Sequence, residues 1–270
     1  MMDKELILAE LQDNPFMSIR KLAVHFEVSY GKMRSFLKDN DIQTKSVSEQ
    51  LAHRNVVRCT HAPIRISEEA NQIILGSLLG DGSIFYKTSN CILSILHSTV
   101  QEDYILYKKE LLIQANLEVK ISHSKGYVST IEGRKIKNSG RIYLYSRVNQ
   151  AFNIYRSTWY PEDTKIVPRT VYELTALGLA IWFMDDGSSN ISSFYLSTNG
   201  FNVLDIERLV DMLDKNFNIT SSIHKNKDSH ILYINSESRQ LFIDTIRPYI
   251  CDSMKYKIIG HDKQDELLES

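Results

Sequence analysis

No run in this sequence approaches the roughly 20 apolar residues that a helix needs to cross a bilayer, which excludes an integral α-helical membrane protein. The opening MMDKELILAELQDN carries acids where a secretory signal would carry bases, so the expected location is intracellular and soluble. Cysteine is scarce. Cys59, Cys91 and Cys251 stand far apart with no C-x-x-C pair, which argues against a disulfide framework and against structural zinc. No glycine-rich phosphate loop occurs, so nucleotide hydrolysis is not indicated. GSSNISS lacks a G-x-S-x-G partner and reads as a loop. His97 and His123 fall in different expected elements with no H-E-x-x-H nearby, and read as polar surface or core.

Charge of one sign is missing as well: 32 lysines and arginines face 33 acids, a net charge of -1. The total does not advertise a nucleic-acid partner, but the distribution permits one. Bases gather from Lys120 through Arg134, Lys135, Lys137, Arg141, Arg147 and Arg156 to Lys165 and Arg169, while the acidic tail HDKQDELLES hides them in the sum.

At 270 residues with 43% hydrophobic content, the chain can bury more than one core. In SIRKLAVHFEVSYGKMRSFLKDNDI, Ser18 and Ser29 each open an apolar-periodic run as helix caps. The pattern of Leu22, Ala23, Val28, Met33 and Leu37 resembles a helix-turn-helix, with Tyr30, Lys32 and Arg34 presented to a DNA groove. Glu27 departs from that motif, which commonly has glycine there. Residues 1–43 form this expected head, and 44–66, with Arg54, Arg58 and Arg65, an expected linker.

The rest reads as one sentence written twice. SEEANQIILGSLLGDG and TALGLAIWFMDDG both start on a hydroxyl, run apolar and end Asp-Gly. Each is followed by strand-like runs, a helix, alternating runs (RIYLYS, HILYINS), another helix and a lysine, Lys165 or Lys257; Leu93-Ser94 aligns with Leu196-Ser197. The expectation is an α+β fold of two αββαββα repeats, 67–169 and 170–270. Gly76 and Gly80, and likewise Ala176 and Ala180, form small-residue stripes along which the two motif helices pack. Asp81 and Asp186 would then meet at two helix C-termini, each stopped by a left-handed glycine. Two carboxylates at two negative dipole ends demand a cation, and oxygen-only donors suit Mg²⁺.

ILGSLLGDG (Ile74 to Gly82) and LAIWFMDDG (Leu179 to Gly187) resemble the LAGLIDADG homing endonucleases of the single-chain, two-motif kind. The resemblance implies a saddle of two sheets lying on DNA, with Asp81 and Asp186 binding Mg²⁺, or Mn²⁺ in its place, and Lys165 and Lys257 beside the scissile phosphates. It implies a monomeric, site-specific double-strand DNA endonuclease, cytoplasmic and nucleoid-associated, whose target is long and partly palindromic. Arg134, Lys135 and Lys137 of a hairpin tip, Arg141 of the adjoining strand, and His224, Lys225 and Lys227 of the second hairpin are the expected DNA contacts. Three alternatives stay open: a maturase whose partner is intron RNA, a non-cleaving transcription regulator, and an interaction protein whose Asp-Gly turns are merely helix stops.

Overall fold

A computed structural model describes residues 3–46, 49, 64–131, 134–138, 140–190, 193–226 and 229–258, with backbone alone over 127–131 and 134–138. The chain forms two compact units, Met1–Ala62 and Pro63–Ser270.

The first unit holds α1 (Lys4–Asp13), α2 (Ile19–His25) and α3 (Tyr30–Asp39). The Ser18 and Ser29 hydroxyls accept hydrogen bonds from the amides of Lys21 and Lys32, so both expected caps are present. Ile7, Leu22, Ala23, Met33 and Leu37 make the core, with Val28 packed against it from the turn. Glu27 occupies the left-handed region (φ 53°), the conformation for which glycine is usual. Tyr30, Lys32 and Arg34 are exposed on α3.

The second unit is α+β, with two four-stranded antiparallel sheets. Its first half runs α4 (Glu68–Leu79), β1 (Gly82–Tyr86), β2 (Cys91–Ser98), α5 (Glu102–Gln114), β3 (Val119–Ser124), β4 (Tyr127–Ile131), β5 (Arg134–Asn138), β6 (Arg141–Ser146) and α6 (Asn153–Trp159). The second half runs α7 (Ala176–Asp186), β7 (Gly187–Asn190), β8 (Ser193–Ser197), α8 (Val203–Phe217), β9 (Ser221–Asn226), β10 (Ser229–Ile234) and α9 (Arg239–Ile246). Sheet orders β1-β2-β6-β3 and β7-β8-β10-β9 are the same path drawn twice. The first half adds the separate ladder β4-β5.

Strand registers correct the sequence alignment. Gly82 pairs with Ile95 and Gly187 with Leu196, so Ile95, not Leu93, is the counterpart of Leu196. The first hairpin has the longer connection, which displaced a comparison made on Leu-Ser alone. The basic run Arg134–Asn138 is a returning strand rather than a tip. The alternation in β6 does follow expectation: Ile142 and Leu144 are buried while Arg141, Tyr143 and Tyr145 face outward.

Apolar residues of both halves form one core, centred on α4 and α7. Beyond their first residues these two helices are buried almost throughout, so each is enclosed by protein there rather than amphipathic. Gln72, 2% exposed, joins them: its side chain donates to the Glu173 carbonyl (2.8 Å) and accepts from the Thr175 amide (2.7 Å). The cap expected from the Thr175 hydroxyl is thus supplied by the partner helix, whereas Ser67 caps α4 itself, accepting from the Ala70 amide.

Gly76 and Gly80 do lie at the crossing, but the facing stripe is Gly178, Ile181 and Asp185 instead of Ala176 and Ala180. Steps of three and four residues keep those three on one helical face, and that face is rotated from the alanine one. A Cβ on Gly76 would stand 2.3 Å from the Gly178 carbonyl oxygen and 2.8 Å from the Ile181 Cβ. Gly76→Ala is therefore expected to destabilise the second unit by about 1–3 kcal/mol, the usual cost of overpacking, read as a lowered urea midpoint with an unchanged m-value.

Candidate metal and nucleic-acid site

The site is made by what the two central helices do at their C-termini. Helix α4 stops at Leu79, turns through Gly80 and Asp81, and becomes β1 at Gly82; α7 continues to Asp186 and becomes β7 at Gly187. Neither of the expected glycines is left-handed: Gly82 lies outside that region and Gly187 has φ -80°. The terminal glycines are needed for space. Each strand folds back over its own helix, and a Cβ would meet the Ser77 carbonyl oxygen at 2.7 Å from Gly82, or the Phe183 carbonyl oxygen at 2.4 Å from Gly187.

Carbonyls at or just beyond the two ends are met by two buried or half-buried lysines. Lys257 Nζ donates to the carbonyls of Met184 (2.7 Å) and Gly187 (2.8 Å), with Phe183 at 3.3 Å and Asp185 at 3.4 Å. Lys165 Nζ donates to the Gly82 carbonyl at 3.1 Å, the position matching Gly187. Ammonium groups here satisfy acceptors that the helix leaves unpaired and oppose the negative dipole end. Burial lowers both lysine pKa values, Lys165 to about 8, while the neighbouring aspartates partly restore them.

Both lysines direct their hydrogen bonds to carbonyls, and among the described residues no lysine or arginine comes within ion-pair distance of Asp81 or Asp186. The Asp81 carboxyl is pushed up to about 6, first by burial, then by the charges of Asp185 and Asp186. Asp186 is raised for the same reasons, burial first and Asp185 second. Both carboxyls are thus held above the ordinary carboxylate range in spite of nearby lysine charges. One donor atom each from Asp81, His97 and Asp185 lies within 4.8 Å of the others.

Asp185 has a different task. Its Oδ1 accepts from Lys108 Nζ (2.5 Å) and the Tyr104 hydroxyl (2.6 Å), and its Oδ2 from the Asp81 amide (3.3 Å). Lys108 also donates to the Ser77 hydroxyl at 3.2 Å. Both Asp185 and Lys108 side chains are fully buried. In motif register Asp185 stands where copy one has Gly80. The buried positions Tyr104, Ile105, Lys108 and Leu112 on α5 recur on α8 as Asp205, Ile206, Leu209 and Leu213, so Lys108 stands where copy two has a leucine. One half lends the lysine and the other the aspartate.

Asp185, Lys108, Tyr104 and His97 are the site residues that sequence reasoning passed over. The doubled acid of WFMDDGSS was a signal for Asp185. Lys108, inside YKKELL, reads as solvated and gives none, and His97 is buried with its Nδ1 3.3 Å from Asp81 Oδ2. Of the expected nucleic-acid contacts, Arg141 lines a cavity together with Asp81 and His97. Arg141 is exposed at the start of β6, and His224 and Lys225 are exposed on β9. Arg134, Lys135 and Lys137 sit on β5 with side chains outside the description, and Lys227 lies outside the described residues.

Removing one member of the buried pair strands the other's charge, so Asp185→Ala is expected to cost about 3–5 kcal/mol in denaturant unfolding. Asp185→Ala with Lys108→Leu together should recover most of it, a coupling that a double-mutant cycle measures. A second expectation concerns pH. The folded Asp81 pKa, about 6, exceeds the usual unfolded carboxylate value, so its contribution to stability is full in acid and lost as pH rises through about 6. In metal-free buffer Asp81→Asn should therefore melt above wild type at pH 7.5 and show no such advantage at pH 4, a comparison made by scanning calorimetry.

Comparison with known proteins places this geometry. The profile of the LAGLIDADG DNA endonuclease family matches residues 71–242. Cytochrome b mRNA maturase bI2 of Debaryomyces hansenii is 31% identical over 205 residues, which cover 72% of this chain and 74% of the relative. The maturase of the same description from Saccharomyces cerevisiae is 32% identical over 207 residues, 69% of this chain but 46% of the relative, so the chain spans under half of that protein. DNA endonuclease I-ChuI of Chlamydomonas applanata is 24% identical, with 73% of this chain and 98% of its own length aligned. Among solved structures, the homing endonuclease I-WcaI bound to its DNA recognition sequence superposes with a TM-score of 0.63 at 23% identity, covering 82% of this chain and 97% of that one, which is a likeness of fold.

Proposed function

The chain belongs to the LAGLIDADG DNA endonuclease family, and from that premise we propose that it is a site-specific double-strand DNA homing endonuclease, cutting one strand at each of two centres. The observation that carries this reading is the pair of raised aspartates, Asp81 and Asp186, at adjoining helix ends that matching lysines brace through equivalent glycine carbonyls. Asp81 and Asp186 would hold Mg²⁺, with Mn²⁺ as a substitute, and their oxygen donors and want of cationic partners fit such an ion. When bound, a divalent ion supplies Lewis-acid polarisation of the phosphate and a more acidic water.

The chain's own groups do the rest. Lys165 and Lys257 keep positive charge a short way behind the aspartates, where it opposes negative charge that builds on the phosphate in the transition state. Because their hydrogen bonds fix them to the backbone, no side-chain reorganisation is needed as that charge develops. The outward sheet faces, with Arg141, His224 and Lys225, would lie on the DNA as a saddle, joined by Arg134, Lys135, Lys137 and Lys227. Tyr30, Lys32 and Arg34 of α3 would extend the contact as a helix-turn-helix. The two halves differ in sequence, so one monomer would read a long and partly palindromic site.

A second reading is favoured by the two maturase relatives: the same scaffold would bind structured intron RNA and assist its splicing. The two readings separate in one set of variants. Sites selected from a randomised duplex pool should be cleaved by wild type with Mg²⁺, and Asp81→Asn and Asp186→Asn should each lose at least about 100-fold in double-strand cleavage. Undiminished cutting by either variant removes the mechanism. Intron RNA affinity unchanged in both variants would support the second reading.

A further inference from the structure

The two centres are not chemically equal, and the difference is a histidine. His97 lies two residues beyond Ile95 on β2; the same place on the second half, two beyond Leu196, is Thr198. Thr198 is buried and donates its hydroxyl to the His230 carbonyl at 2.7 Å, away from the helix ends. The His97 ring, 3% exposed, is wedged between Asp81 and Asp185 and meets the Tyr104 ring edge-on at 5.0 Å. Its Nδ1 is hydrogen-bonded to Gln101 Oε1 at 3.3 Å and stands at the same distance from Asp81 Oδ2, two oxygen acceptors that favour the proton on Nδ1. Its Nε2 is buried with no hydrogen-bond partner, 3.7 Å from Asp185 Oδ1. A cavity of about 290 Å³ opens beside the ring, lined by Asp81, Leu96, His97, Ser98, Gln101 and Arg141.

We propose that His97 is a positioning residue of the first centre alone: its Nδ1–H holds the Asp81 carboxylate in place, and the two centres consequently differ in metal affinity and in the rate at which each cuts its strand. The inference rests on the endonuclease reading for its second half only. Carboxylates that bind metals are themselves held by hydrogen bonds, and loss of such a partner weakens metal affinity by about 10–100-fold. Asp186 has no imidazole counterpart among the described residues, so only Asp81 should respond.

The test uses Mn²⁺ itself, titrated into the full chain and followed by the electron paramagnetic resonance of the free ion. In an Asp186→Asn background, where Asp81 is the remaining terminal carboxylate, His97→Leu should weaken Mn²⁺ binding about tenfold or more. His97→Asn, whose amide N–H reaches the place of Nδ1–H, should restore most of the affinity; His97→Gln, which extends toward the Nε2 place, should not. In an Asp81→Asn background His97→Leu should change nothing. Equal effects in the two backgrounds, or equal affinity of the Asn and Gln variants, overturns the proposal, and the Asn–Gln comparison decides the matter if the leucine variant does not fold. On duplex DNA labelled on each strand in turn, His97→Leu should slow one cut and leave the other at the wild-type rate; equal slowing also overturns it. Absence of cleavage by wild type would sink the endonuclease reading, while the Mn²⁺ cycle still judges His97.

Discussion

Two helices that pack closely along glycines and bring their C-terminal ends together set the terms for everything else in this molecule. At Gly76 the backbone of α4 approaches that of α7 so closely that a single methyl group would overlap a carbonyl oxygen. Helices usually pack 8–10 Å apart and keep their ends clear of one another. Here the packing brings two negative dipole ends and three carboxylates into one place. The structure answers with three lysines, each aimed differently: Lys257 and Lys165 at backbone carbonyls, Lys108 at the innermost carboxylate.

That division of labour explains how a charged cluster persists inside an apolar core. A buried carboxylate needs both an opposite charge and enough donors to fill its lone pairs, and Asp185 has a lysine, a tyrosine hydroxyl and a backbone amide. The outer aspartates, Asp81 and Asp186, are partly open to solvent. Two neighbouring carboxylates in one short segment thus sit in different settings: Asp185 is buried and paired within the fold, whereas Asp186 is only partly buried.

Much of this was legible in the sequence because a repeat supplies its own comparison. The order of helices and strands, the place of Asp81 and Asp186, and the lysine closing each half all follow from laying one half on the other. What failed did so for identifiable reasons. The Ala176 and Ala180 stripe was read by analogy with Gly76 and Gly80, yet α7 presents a rotated face, with Ile181 filling the space opposite Gly76. The Leu-Ser alignment was misled by the longer connection between β1 and β2. The glycine after each motif looked like a left-handed helix stop, when the constraint is the strand folding back over its helix. Lys108 was invisible because its meaning depends on Asp185, which lies far away in sequence, and a pairing across halves leaves no periodic trace.

The Asp185–Lys108 contact also acts as an address written between the halves. Two copies of the first half, put together, would set each buried Lys108 against a glycine, with no anion to receive it. Two copies of the second would press one Asp185 toward the other, with Leu209 where the ammonium is wanted. Only the mixed pair balances the buried charge, so each half carries a group that the other completes: the lock and its key are held in different halves of a single chain.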